Sequence, residues 1–116
     1  MRRAPAAAGD ENVRLMRFAV IRHGGAAWDR SRGLREQDGW SEHAAFMDAL
    51  QAEGFVLLGG PLGTGTAVDR ALLIIEADSE ATIRARLAAD PWTSMRVLEI
   101  VSVEPWTVLL GRLPVQ

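Results

Sequence analysis

The chain has no cysteine, no lysine and no tyrosine in its 116 residues, and each absence closes a route to chemistry. Without cysteine there are no disulfides, thiol nucleophiles or cysteine metal sites. Without lysine there is no Schiff-base amine, so all 13 basic residues are arginine. Without tyrosine there is no phenol to act as an acid or base. No apolar run approaches the ~18 residues of a membrane helix. A basic face is missing as well: the net charge is -2, which argues against a nucleic-acid partner. The side chains left for catalysis are His, Asp, Glu, Ser, Thr and Arg.

What remains suits one α+β domain of ordinary composition, 48% hydrophobic and 24% charged. Residues 1–15 read as a disordered extension. They lack the continuous apolar stretch of a signal peptide, so the expected compartment is cytoplasmic. Met16 is a second candidate start. The domain is expected over residues 16–110, followed by a tail over 111–116.

The pattern predicts a strand from Met16 to His23 and a loop from Gly24 to Asp38. A helix follows from Gly39 to Glu53, capped by Asp38 or Ser41 and stopped at Gly54. A short strand over Phe55–Gly60 is expected to break at Gly60-Pro61. Leu62–Thr66 is a turn-rich loop. A third strand covers Arg70–Ala77, and a second helix, capped by Asp78 or Ser79, runs to about Ala89. Pro91 ends that helix at Asp90. A fourth strand covers Met95–Glu104. The order βαββαβ, with right-handed crossovers, is the ferredoxin-like plait. Its strands are apolar on both alternating faces, yet two helices cover only one. An uncovered apolar face would exceed what monomers tolerate. A homodimer packed sheet to sheet is therefore expected.

His43 stands out chemically. Trp40, His43, Phe46, Met47 and Leu50 share one helix face, and His43 is its only polar member. Imidazole titrates near neutrality, which suits a general acid or base. Such a base needs an orienting partner, and Asp90, at the end of the inward stripe Ile83, Leu87, Asp90, is the best carboxylate. Placed at a helix C-terminus, its charge would oppose the dipole and call for a compensating group. Trp40 and Trp92 flank the pair in sequence and are candidate pocket walls. Gly60 and Pro61 would let a ligand approach the backbone. Arg22, at a strand end, is a candidate for holding an anionic group. Each residue also has a plainer reading: His43 as a core side chain, Asp90 as a turn residue, and Trp28 and Trp106 as packing. His23 and His43 lack ligand spacing, so no metal is expected.

His43, Phe46 and Leu50, then Gly54, Gly59-Gly60-Pro61, Asp90-Pro91-Trp92 and Trp106, together resemble the YCII-related (YciI-like) family. The resemblance spans Met16 to Trp106. It implies a dimeric α/β barrel and an active-site pair at His43 and Asp90. One branch of that family removes HCl from a chlorinated ring compound, which implies proton transfer without a cofactor. The loop Gly24–Asp38 and the fifteen-residue extension depart from the family pattern. Two functions follow as expectations. The first is a cofactor-independent lyase or isomerase acting on a small cyclic or carboxylated molecule. The alternative is a non-catalytic ligand-binding or regulatory homodimer. A His43–Asp90 contact within about 2.6 to 3.2 Å beside an open cavity would favour the first.

Overall fold

The computed structural model describes residues 14–65 and 68–113. Most of the 1–15 extension, Thr66 of the 62–66 loop and the last three tail residues lie outside these. Four strands alternate with helices: β1 Met16–Gly24, α1 Trp40–Ala52, β2 Val56–Pro61, β3 Arg70–Ala77, α2 Glu80–Leu87, α3 Pro91–Ser94 and β4 Leu98–Pro105. The strands form one antiparallel sheet in the order β2-β3-β1-β4. This is the expected α+β, ferredoxin-like plait, with one extra short helix.

Alternation along the central strands sorts the two sheet faces. Phe18 and Val20 of β1 and Leu73, Ile75 and Ala77 of β3 join Leu50, Ile83 and Leu87 of the helices in one core. Arg22 continues the same β1 face as Phe18 and Val20, two residues at a time. The intervening residues, Ala19 and Ile21 paired with Ile74 and Leu72, belong to neither buried cluster. They form the middle of the second face. Two opposite-charge pairs lie on that face toward its ends: Arg17 with Glu76 at 3.8 Å and His23 with Glu99 at 3.3 Å. Among the described residues no helix is long and apolar enough to cross a membrane.

Four local expectations need correction. The cap of α1 is Gly39, in the left-handed region at φ 79°, rather than Asp38 or Ser41. β2 does not break at Gly60 but runs through Pro61, paired with Ala71. An edge strand tolerates proline because its outer N–H needs no partner. β4 starts at Leu98 rather than Met95, because Pro91–Ser94 forms a turn of helix first. Proline at the first helical position favours such a start. Asp90 is consequently not the end of a helix whose dipole repels it. It is the N-cap of α3, where a carboxylate is favoured.

The 24–38 loop is held from within. The buried Gln37 side chain accepts from the Asp29 amide at 2.9 Å and donates to the Asp29 carbonyl at 2.8 Å. A 3-10 turn at Leu34–Glu36 completes it.

Candidate active site

Asp90 is the hub of the site and has no exposed surface. Three groups donate to it. His43 Nδ1 lies 2.9 Å from Oδ2 and 3.0 Å from Oδ1. Arg22 Nη2 donates to Oδ2 at 2.8 Å. The Trp92 amide donates to Oδ1 at 2.9 Å. Burial alone would raise the Asp90 pKa. The bonds from His43, Arg22 and the Trp92 amide, with the Arg22 charge, outweigh it and hold the carboxyl below its ordinary value.

An ionised carboxylate only accepts hydrogen bonds. His43 Nδ1 must therefore carry the proton that faces Asp90. In the neutral ring Nε2 is then bare, with a lone pair and no hydrogen bond among the described residues. That is the tautomer of a general base. The ring is also fixed in orientation. It stacks on the Trp92 indole with centroids 3.9 Å apart and planes 8° apart. Trp92 in turn donates its Nε1–H to the Asp38 carbonyl at 2.7 Å.

Local sequence explains these placements. Gly39 starts α1 with a positive φ, and a Cβ there would lie 2.9 Å from Met95 Sδ and 3.2 Å from Trp92 Nε1. Only glycine lets α1 begin so close to Trp92. His43 then donates its amide to the Gly39 carbonyl, one helical turn on. Pro91 keeps Asp90 extended, at φ -65° and ψ 127°, which turns its carboxylate back over the α3 amides.

A cavity of about 340 Å³ opens beside His43. That volume fits a molecule of about one ring, at the low end of ligand pockets. His43, Arg22, Trp40, Gly60 and Pro61 all border it. Asp90 and Trp92 do not. Trp92, expected as a wall, is fully buried behind the His43 ring and acts on the site through it. Arg22, expected to hold an anion, has one arm committed to Asp90 and its Nη1 3.9 Å from Met47 Sδ. The structure adds Trp28, Met47 and Leu34 as apolar lining and Arg35, Asp48, Asp69 and Arg70 as polar lining. The Arg22–Asp90 pairing had a visible signal: Arg22 continues the inward alternation of Phe18 and Val20, and a buried arginine needs an anion. Trp28 carried no such signal, because a loop position has no periodicity.

A model of the YCII-related domain matches residues 16–107. Among solved structures, the chain is similar to the 5-chloro-2-hydroxyhydroquinone dehydrochlorinase of Burkholderia phenoliruptrix AC1100, in complex with 2,5-dihydroxybenzoquinone. The two share 26% identity with a TM-score of 0.58, over 78% of this chain and 93% of the other. No curated protein matches.

Proposed function

The chain belongs to the YCII-related family, and we propose that it is a small-molecule enzyme of lyase or isomerase type that moves protons without a cofactor. The observation that carries this reading is His43, held to Asp90 through Nδ1 and lining a ring-sized cavity. His43 Nε2 accepts a proton from the substrate. Asp90 fixes the tautomer and balances the imidazolium that forms. Burial pushes the Asp90 pKa up, and Arg22, with His43 and the Trp92 amide, more than offsets it. Trp40 and the Gly60-Pro61 backbone bound the substrate. A cavity suits a ligand-binding protein and an enzyme alike; the buried carboxylate that orients the His43 ring beside it favours the enzyme. The dehydrochlorinase, whose named substrate and ligand are oxygenated six-membered rings, supports a cyclic substrate.

Two copies of the chain are proposed to associate through the second sheet face. Ile21 and Leu72 lie there, cross-paired in the sheet with Ser102 and Gly60, and among the described residues no helix covers them.

Release of chloride from 5-chloro-2-hydroxyhydroquinone, and solvent-proton exchange into related hydroxylated rings, test the chemistry. His43→Ala is expected to lower kcat by about 100-fold or more. Full turnover by that variant would remove His43 from the role.

A further inference from the structure

Two buried N–H donors in the described structure have no hydrogen-bond partner: Arg22 Nε and Trp28 Nε1. Arg22 is 2% exposed and Trp28 is 8% exposed. Both border the same cavity as His43. A buried donor left unpaired is costly, so native structures rarely keep one without use. Both residues line one cavity while the two N–H groups lie just beneath its wall, which points to an acceptor that arrives from outside and draws them toward it.

We infer that Arg22 Nε and Trp28 Nε1 are the donors that hold a negatively charged oxygen of the substrate, and that the substrate is a flat, apolar ring bearing such an oxygen. This deepens the proton-transfer reading of the His43 cavity and rests on it. The remaining chemistry of the wall agrees. Leu34, Met47, Val56 and Leu73 supply apolar surface for a ring. Arg22 is a cation whose Nη2 is already spent on Asp90, while its Nε–H has no partner. Trp28 likewise has its Nε1–H without a partner. A Cβ on Gly24 would lie 2.9 Å from its Cβ and Cγ, and its ring meets Trp92 edge to face at 6.4 Å. In the proton step, a substrate C–H or O–H bond breaks and the proton passes to His43 Nε2. The electron pair stays with the ring, and its charge settles on the oxygen facing Arg22 and Trp28. Nothing is oxidised or reduced.

Pentafluorophenolate and hexafluorobenzene form a matched probe pair, since they share a fluorinated ring and only the first has the charged oxygen. Fluorine NMR titration gives both dissociation constants. The wild-type protein is expected to bind pentafluorophenolate on the order of tenfold or more tighter than hexafluorobenzene. Trp28→Phe keeps an aromatic ring and removes the N–H. It is expected to erase most of that preference and leave hexafluorobenzene binding unchanged. In the wild-type protein, pentafluorophenolate is also expected to shift the assigned Trp28 indole N–H resonance, and hexafluorobenzene to leave it near its free position. This second readout stands even if Trp28→Phe folds poorly. Equal weakening of both probes by Trp28→Phe, or an indole resonance unmoved by the phenolate, would overturn the inference and leave the cavity reading in place. Binding of neither probe would overturn the cavity reading, and this inference with it.

Discussion

His43 and Trp92 lie face to face, 3.9 Å between ring centroids, while the backbone amide of Trp92 and Nδ1 of His43 both reach Asp90. One tryptophan thus supports the imidazole with its ring and the carboxylate with its main chain. The four-residue helix Pro91–Ser94 exists at the point where this double support is needed.

Removing the hub should cost stability as well as activity. Asp90→Ala leaves the buried Arg22 without its anion and the Trp92 amide without its cap. Loss of one partner of a buried pair costs about 3–5 kcal/mol. Urea denaturation of wild type and variant measures it. A change under about 1 kcal/mol would show that Arg22 finds another partner.

Acid should weaken the protein through the same group. The Asp90 pKa is lowered in the folded state, so the unfolded chain takes up this proton first as pH falls. Its contribution is fully present above the ordinary Asp range. It declines below that range and is gone once pH has passed through the lowered folded value. Asp29 and Asp78, also lowered by hydrogen bonds but exposed, shift stability in the same direction. Urea midpoints measured from pH 7 down to pH 2.5 are expected to fall more steeply for wild type than for Asp90→Asn. Parallel curves would contradict the assignment.

Two glycine substitutions separate strain from space. Gly39→Ala forces a side chain into a positive φ against Met95 and Trp92, and it should destabilise by about 1 kcal/mol or more. It should also disturb the His43 stack. Gly60→Ala meets nothing within 4 Å of its new Cβ and should stay within about 0.5 kcal/mol of wild type. Thermal melts of the pair decide this. Equal effects would mean that the backbone at Gly39 relaxes freely.

The much larger part of the fold was legible from pattern alone. The apolar runs Phe18–Ile21 and Leu72–Ile75 located the strands but, being apolar on both faces, not which face turns to the helices, and the stripe from Trp40 to Leu50 located α1. The His43–Asp90 meeting was legible because His43 interrupts one apolar stripe and Asp90 ends another. Its reason was not. The sequence pattern sets Asp90 against a helix dipole, whereas Asp90 caps the next helix, which is too short to leave a periodic signal. Arg22 was read as free to bind substrate because its partner lies 68 residues away in sequence. The order within the 24–38 loop depends on Gln37, a residue with no local signature of burial.

The second sheet face gives a prediction independent of the cavity. Ile21→Arg places a charge in the middle of that face, on the side of the sheet opposite the one that carries Phe18, Val20 and Arg22. Light scattering at micromolar concentration is expected to show a dimer for wild type and a monomer for the variant, with urea stability of the fold largely kept. A wild-type monomer at that concentration would rule out the sheet-to-sheet dimer.

The central claim is that Asp90 holds the His43 proton on Nδ1 and leaves Nε2 open to the cavity. Long-range proton–nitrogen NMR of the two histidines, recorded at a pH where the His43 ring is neutral, reads this directly and needs no substrate. The account predicts a protonated Nδ1 and a bare, pyridine-like Nε2 for His43, lost or mixed in Asp90→Asn. A neutral His43 carrying its proton on Nε2 would contradict it, because that ring could not accept a proton from anything bound in the cavity.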